Sequence, residues 1–356
     1  MMSLRAGVRG LGVAASIAVL SGLTGTSSQA ATPAPTWWER GTKMVPHFQW
    51  NANDGYCGET AFISAGMRFG QYTSQWTARA LATPGVPQWK SGSQLLLGVN
   101  DLRAAKAMRL DARAWNHDEQ KSAPQFLAWV KKRVLSGDSV IMGVFNNTRI
   151  LNEWNQGDQG DSSYDHIVPV FGVGSAQPLR KGAYSGTDTI TISDNGLHTI
   201  GQNIPYLYTY TFDSFLRTRA QANAVGGPIY SLRSTPKNFG VAVRGIIDTD
   251  GVTVPVRLIS NVDGEGVQNQ PVMKQPPAPM PITLTARVKL PDPSRAYRVY
   301  LYDDFAKVPG HNFNAKSERA MRVWTIPAGG SHLWSVTIHA MTSDTRVFRA
   351  VPVSAP

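Results

Sequence analysis

The single cysteine of the chain lies in a segment whose neighbouring residues are small, polar or charged. Cys57 follows Gly55 and Tyr56, precedes Gly58, and opens a run in which apolar residues recur at helical spacing. A thiol at a helix N-terminus lies at the positive end of the helix dipole, which favours the thiolate form. The pattern therefore indicates a nucleophilic cysteine rather than a buried apolar one.

A thiolate nucleophile also needs an imidazole that accepts its proton and later returns it. Of the seven histidines, His166 fits this role best, because it opens an apolar strand after a long polar loop. The next predicted strand ends at Asp194 and Asn195. If the two strands are neighbours, either residue can orient the imidazole ring, as the third member of a catalytic triad does.

Further residues near the cysteine and the histidine are candidates for contact with a reacting molecule. Gln49 lies upstream of Cys57, and its uncharged amide can donate a hydrogen bond to a developing oxyanion. Glu59 falls in the first turn of the predicted helix and complements the helix dipole. The residues expected to line the cleft are Gly55, Tyr56, Gly58, Trp154 and Asp165.

These residues need helices and strands to hold them, and the spacing of apolar residues predicts such elements. Three helices are predicted: one from Cys57 to Phe69, one from Ser91 or Ser93 to Met108, and one from Ser122 to Gly137. Four strands are predicted after them: Ser139–Phe145, Ile167–Val173, Thr189–Ser193 and Leu207–Phe212. Helices first and strands second indicate an α+β domain with separate layers.

The residues after about Phe239 have no helical pattern and the strand spacing of a β-sandwich. The predicted strands are Val241–Ile247, Val252–Leu258, Ile282–Val288, Tyr297–Tyr302, Met321–Ile326, Leu333–Ile338 and Arg346–Val351. The stretch Asn269–Pro281, rich in Pro and Gln, is predicted to be a loop of this part. The sequence thus predicts an α+β domain over residues 32–238 and a β-sandwich domain over residues 239–356.

The first 31 residues have the features of an export signal. Arg5 and Arg9 give a positive start, the apolar run Leu11–Leu23 follows, and small residues around Ala30 and Ala31 suit cleavage. The apolar run is short for a helix that crosses a bilayer. A secreted protein, extracellular or associated with the cell wall, is therefore expected.

Composition limits the classes of molecule that the protein is expected to bind. The 356 residues include 35 Lys and Arg against 24 Asp and Glu, a formal net charge of +11. The basic residues form no run, so specific nucleic-acid binding is not expected, whereas attraction to an anionic cell wall or membrane surface is. The one cysteine and the isolated histidines have no spacing typical of metal ligands. We expect a monomer that needs no cofactor.

The order of these residues resembles the papain-like cysteine peptidase superfamily. In that order a Gln precedes a Cys-Gly pair at a helix start, an Asp-His pair opens a strand, and an Asp closes the next strand. The matching residues are Gln49, Cys57, Gly58, Asp165, His166 and Asp194. Within the superfamily, the chain is most similar to the bacterial branch related to peptidases that process double-glycine bacteriocin leaders. The similarity covers about residues 45–217 and none of the predicted sandwich.

The resemblance implies a role for each matching residue. Cys57 would be the nucleophile, and His166 would be the general base and later the general acid. Asp194 would orient the ring, with Asn195 as the second choice, and Gln49 would help to form the oxyanion hole. The implied fold is papain-like, and the implied activity is hydrolysis of a peptide or related amide bond in a peptide or protein substrate.

Two alternatives remain open. The same triad can pass its acyl group to an amine, as a transpeptidase or a transglutaminase-like enzyme does, and product analysis with added amines separates this reaction from hydrolysis. The other alternative is a catalytically inactive protein that binds a surface or a partner protein and keeps a peptidase scaffold. Inertness toward peptide libraries together with tight surface binding would favour this second alternative.

Overall fold

The computed structural model describes most of the chain after residue 46. The described residues are 36–38, 47–119, 121–151, 163–175, 179, 183–195, 207–262 and 271–353. The predicted export signal and Trp154 lie outside these ranges. Among the residues within them, no helix has the length and apolar character needed to cross a membrane.

Seven α-helices lie in the described ranges. The helices are α1 (Cys57–Arg68), α2 (Gln75–Ala82), α3 (Asp101–Ala107), α4 (Ala123–Leu135), α5 (Thr148–Leu151), α6 (Phe212–Phe215) and α7 (Arg219–Ala222). α4 begins as predicted, because the side chains of Ser122 and Gln125 each accept a hydrogen bond from the other residue's backbone N–H. Its end is followed by Gly137, which has a φ of +93°.

The strands form three sheets, and nearly all of them pair antiparallel. The strands are β1 (Thr36–Trp38), β2 (Gln71–Tyr72), β3 (Leu110–Ala114), β4 (Ser139–Asn146), β5 (His166–Ser175), β6 (Thr189–Ser193), β7 (Leu207–Thr211), β8 (Leu216–Arg217), β9 (Tyr230–Arg233), β10 (Gly240–Ile246), β11 (Val256–Ser260), β12 (Pro281–Lys289), β13 (Tyr297–Tyr302), β14 (Arg322–Ile326), β15 (Leu333–Met341) and β16 (Arg346–Pro352). β8 and β9 pair in parallel. Helices with largely antiparallel sheets make this an α+β architecture, as predicted.

The largest sheet carries the strands on which His166 and Asp194 were placed by the sequence. Its strand order is β3-β10-β4-β5-β6-β7. Successive side chains of a strand point to opposite faces of the sheet. In β4, Ile141 packs in the same hydrophobic cluster as α1, whereas Val140 and Met142 pack in the cluster of α4. α1 and α4 therefore cover opposite faces of this sheet.

The two smaller sheets, β11-β12-β15 and β14-β13-β16-β2, share one hydrophobic core, as the sheets of a sandwich do. α1 packs on this core as well. Its Ile63 and Met67 belong to the sandwich core, whereas Phe62 and Ala65 pack toward the large sheet. Residues 58 to 67 of α1 are all buried, which is expected of a helix enclosed on several sides. α1 thus lies between the large sheet and the sandwich.

The strand β10 belongs to a different sheet from the one that the sequence predicts. The sequence predicts that it opens the C-terminal sandwich, but it pairs with β3 and β4 inside the large sheet. β2, from the first half of the chain, pairs in turn with β16 near the C-terminus. These pairings join segments on either side of residue 238, where the sequence predicts a domain boundary. An alternating apolar pattern marks a strand but does not identify its partners.

Two helices also differ from their predictions. α2 has no predicted counterpart, because its buried face includes the polar residues Gln75 and Arg79, which weaken the apolar periodicity. The helix expected before Met108 is confined to α3. Ahead of α3, Gly98 has a φ of +78°, and the Asn100 side chain accepts a hydrogen bond from the Leu96 N–H at 2.8 Å. These turns replace the first half of the predicted helix.

Candidate active site

Cys57 is the first residue of α1, and its side chain is partly exposed. The chain enters the helix through Asn53, Asp54 and Gly55, whose φ values are +49°, +63° and +88°. This left-handed backbone is uncommon for residues other than glycine, and it turns the chain sharply. The turn leaves the thiol at the N-terminus of α1, where the first backbone N–H groups have no partner within the helix.

His166 begins β5, close enough to the Cys57 side chain to interact with it. Its Nε2 lies 3.4 Å from Oδ1 of Asp194, and both of these side chains are buried. Burial by itself lowers the pKa of His166, but the interactions with Asp194 and Cys57 outweigh burial and raise this pKa to about 10. The thiol, the imidazole and the carboxylate thus form a continuous series.

The register of the large sheet determines which side chain reaches the imidazole. Extended to the strand ends, the pairing of β5 with β6 places Asp194 on the same face as His166 and Asn195 on the opposite face. On that opposite face, Nδ2 of Asn195 donates to the backbone oxygens of Cys57 at 2.9 Å and Ile167 at 2.8 Å. Asp194 therefore contacts the ring, and Asn195 joins the start of α1 to β5.

Three tyrosines pack around the buried His166–Asp194 pair. The imidazole stacks on Tyr230 with the ring centroids 5.9 Å apart, and Tyr208 meets Tyr230 edge-on. The Tyr210 hydroxyl accepts a hydrogen bond from the Tyr230 backbone N–H. Burial raises the pKa of Tyr208 and of Tyr210 to about 12, and the charge of Asp194 adds to both shifts. These rings exclude water from the carboxylate, which strengthens its interaction with the imidazole.

Gln49 is fixed beside the cysteine by its own side chain. Its Oε1 accepts a hydrogen bond from the Tyr56 backbone N–H at 3.1 Å, and its backbone N–H donates to the Asn195 oxygen at 2.9 Å. Gln49 thus contacts the residue that precedes Cys57, and Nε2 is the amide atom that could donate to an oxyanion. The role of Gln49 as an oxyanion donor stays a prediction.

A buried ion pair supports the loop that precedes Cys57. Nε of Arg79, in α2, lies 2.6 Å from Oε1 of Glu59, and both side chains are buried. The other guanidinium nitrogens donate to backbone oxygens of this loop and of the loop after α2. The guanidinium also lies 3.6 Å from the centre of the Tyr56 ring. The sequence analysis gave Arg79 no role, since nothing in the sequence connects it with Glu59.

Two of the residues predicted to contact substrate are buried instead. Tyr56 is fully buried, and its hydroxyl donates to the Gln88 side chain at 3.0 Å. A Cβ atom at Gly58 would lie 2.1 Å from the Leu95 backbone oxygen. Only glycine therefore lets the start of α1 lie this close to the backbone at Leu95. The prediction of substrate contact does not fit either position. Gly55 is partly exposed and supplies the turn described above.

Asp165 precedes His166 in the sequence, but its side chain pairs with an arginine. Its carboxylate forms an ion pair with Arg219 and accepts a hydrogen bond from the Asn146 backbone N–H at 2.9 Å. These contacts join the start of β5 to α7 and to the end of β4. Trp154, predicted to line the cleft, lies outside the described residues. Within the ranges given above, no group of three or more His, Cys, Asp or Glu side chains could hold a metal ion.

Comparison with known proteins gives no match. No protein-family model matches this chain, and no match to it was found among curated proteins or solved structures. The functional argument therefore follows from the side chains that the fold brings together.

Proposed function

We propose that the protein is a secreted cysteine hydrolase with a papain-like catalytic core, which cleaves peptide or related amide bonds. The observation that carries this proposal is the placement of Cys57 at the start of α1 beside His166, whose Nε2 lies 3.4 Å from the buried carboxylate of Asp194. A cysteine at a helix start, a histidine at a strand start and a carboxylate on the adjacent strand are also what the resembled superfamily implies. The geometry supports the same division of roles.

The first step is attack by the sulfur. Nε2 of His166 faces Asp194, so Nδ1 is the nitrogen that takes the thiol proton of Cys57. The thiolate attacks the substrate carbonyl carbon, a C–S bond forms, and the carbonyl electron pair moves onto the oxygen. The backbone N–H of Cys57 and Nε2 of Gln49 then donate hydrogen bonds to this oxyanion.

The second half of the cycle returns the proton and frees the enzyme. The imidazolium of His166 protonates the leaving amine as the C–N bond breaks, which leaves a thioester on Cys57. Water then loses a proton to the same imidazole and attacks the thioester, and the carboxylic acid product leaves with regeneration of the thiol. Asp194 keeps its charge and holds the ring in place throughout.

Replacement of the nucleophile tests the proposal. Cys57→Ala is expected to lower turnover by about 10³-fold or more, because no other group can form the acyl-enzyme. The measurement is cleavage of a broad peptide library followed by mass spectrometry, with the thermal unfolding midpoint as the control for folding. Hydrolysis retained by Cys57→Ala would overturn the proposal.

Chemical labelling gives a test that needs no substrate. Cys57 is the single cysteine, so any adduct of a thiol-directed alkylating reagent reports this residue alone. We expect iodoacetamide to modify it faster at pH 7 than it modifies free cysteine, because the neighbouring imidazole can accept the thiol proton as the sulfur reacts. A rate no higher than that of free cysteine contradicts an activated thiol.

A further inference from the structure

The loop that leads into Cys57 is held by residues far along the chain. Nδ2 of Asn53 donates to the Met273 backbone oxygen at 2.8 Å, and Oδ1 of Asn53 accepts from the Met273 backbone N–H at 2.7 Å. The backbone N–H of Asn53 donates to the Pro271 oxygen at 3.2 Å. The Asn53 amide therefore pairs with Met273 as a neighbouring strand would, and it does so in the interior, where Asn53 is only 5% exposed.

The side chain of Met273 closes the same contact through apolar packing. It is 2% exposed and belongs to a small hydrophobic cluster with Trp50, Ala52 and Tyr56. The residues on either side of it, Val272 and Lys274, are exposed. Met273 is thus the point at which this Pro-rich segment attaches to the loop.

The hydrogen bonds of Asn53 extend through Tyr56 to Gln49, next to Cys57. Nδ2 of Asn53 also donates to the Tyr56 hydroxyl at 3.1 Å, and the Tyr56 backbone N–H is the donor that orients Gln49. Asn53 and Asp54 adopt left-handed backbone conformations, which in residues other than glycine persist only where their surroundings hold them. Cys57 follows directly after this turn.

We propose that the Asn53–Met273 pair, here called the clamp, is the device by which the C-terminal part of the chain positions Cys57 and Gln49. This inference rests on the proposed function. Asn53 is a positioning residue, since it acts through the loop and touches neither substrate nor the reacting atoms. Loosening the clamp displaces the sulfur and the oxyanion donor, so it lowers kcat and thiol reactivity with little change in KM.

Asn53→Gly in the full-length protein tests the clamp. Glycine adopts a φ of +49° without strain, so this variant removes the side-chain hydrogen bonds to Met273 and Tyr56 without opposing the turn. Asp54→Gly is the matched control, because Asp54 is exposed, also has a positive φ, and receives the same added backbone freedom. We expect the iodoacetamide rate at Cys57, and kcat for a peptide, to fall about tenfold in Asn53→Gly and to change less than about twofold in Asp54→Gly.

Met273→Ala tests the clamp at its second residue. It keeps the backbone hydrogen bonds but removes the buried side chain, and Met273→Leu is expected to restore the rate because its volume is similar. The pH dependence of alkylation is recorded for each variant, together with the unfolding midpoint. Wild-type reactivity equal to that of free cysteine would overturn the proposed function and the clamp with it. Enhanced wild-type reactivity that persists in both Asn53→Gly and Met273→Ala would overturn the clamp alone.

Discussion

His166 lies between two groups that favour its protonated form. Although burial opposes the charge, the contacts with Asp194 and Cys57 raise the pKa of the imidazole to about 10. In the proposed reaction, an imidazole with a raised pKa holds the proton that the leaving amine takes up. The residue types of this triad could be predicted from the sequence. The choice between Asp194 and Asn195 could not, because it depends on which face of the sheet each occupies.

Asp194→Asn is expected to lower the pKa of His166, since it removes one of the two contacts that raise it. A raised pKa contributes stability that is full below the ordinary value of 6.5 and is lost as the pH rises through about 10. The free energy of unfolding of the wild type should therefore fall between these two pH values, and that of Asp194→Asn should fall less. Urea unfolding at several pH values, with NMR titration of His166, measures both effects.

Asp165→Asn is the control for this titration. Asp165 is adjacent to His166 in the sequence, but its carboxylate is paired with Arg219. Its replacement should therefore leave the His166 titration nearly unchanged. If Asp194→Asn titrates as the wild type does, the carboxylate is not what holds the proton on the imidazole. The alkaline limb of kcat/KM should move with the His166 pKa in each variant.

Among the elements, α1 has packing contacts with three other parts of the molecule. It packs on the large sheet through Phe62, on the sandwich through Ile63, and on α2 through the Glu59–Arg79 pair. The start of α1, the capping of α4 and most strand positions could be predicted, because each depends on a local pattern of apolar or capping residues. The place of β10 and the role of Arg79 depend on contacts across the chain, which spacing alone does not encode.

Arg79→Met should strongly destabilise the link between α1 and α2. It leaves the Glu59 carboxylate buried without its partner, which costs about 3–5 kcal/mol. The double variant Glu59→Gln/Arg79→Met should lose less than Arg79→Met alone, because it removes both charges. Urea unfolding of the single and double variants measures these differences.

Arg244→Met provides the comparison for this double-variant experiment. Arg244 pairs with Asp111 on the surface, where the two side chains are 46% and 40% exposed. An exposed ion pair of this kind contributes only about 0–1 kcal/mol. Equal destabilisation by Arg79→Met and Arg244→Met would show that burial of the Glu59–Arg79 pair does not determine its contribution.

At the scale of the whole molecule, each half of the chain contributes a strand to a sheet formed mainly by the other half. β10 lies in the large sheet between the end strand β3 and β4, and β2 extends a sheet made otherwise from C-terminal strands. The buried Arg349 of β16 donates to the Phe69 backbone oxygen and to the Gln71 side chain. These contacts join the strands of the sandwich to the first half of the chain.

A chain ended at residue 238 should fail to fold cooperatively. It lacks β10, so β3 and β4 lose the strand that joins them, and α1 loses the apolar surface that covers Ile63. Thermal unfolding followed by circular dichroism is expected to give one transition for the full chain and none for the shortened one. A folded shortened chain, or two separate transitions in the full chain, would contradict this prediction.

The pairing of β2 with β16 also orders events during synthesis. A ribosome makes the cysteine segment about 200 residues before residues 271–273, and still longer before residues 346–352. Contacts between such distant parts of a chain form late in folding. During translation, the thiol of the growing polypeptide therefore precedes the Asn53–Met273 contacts and the β2–β16 pair, which can form only well after it has emerged.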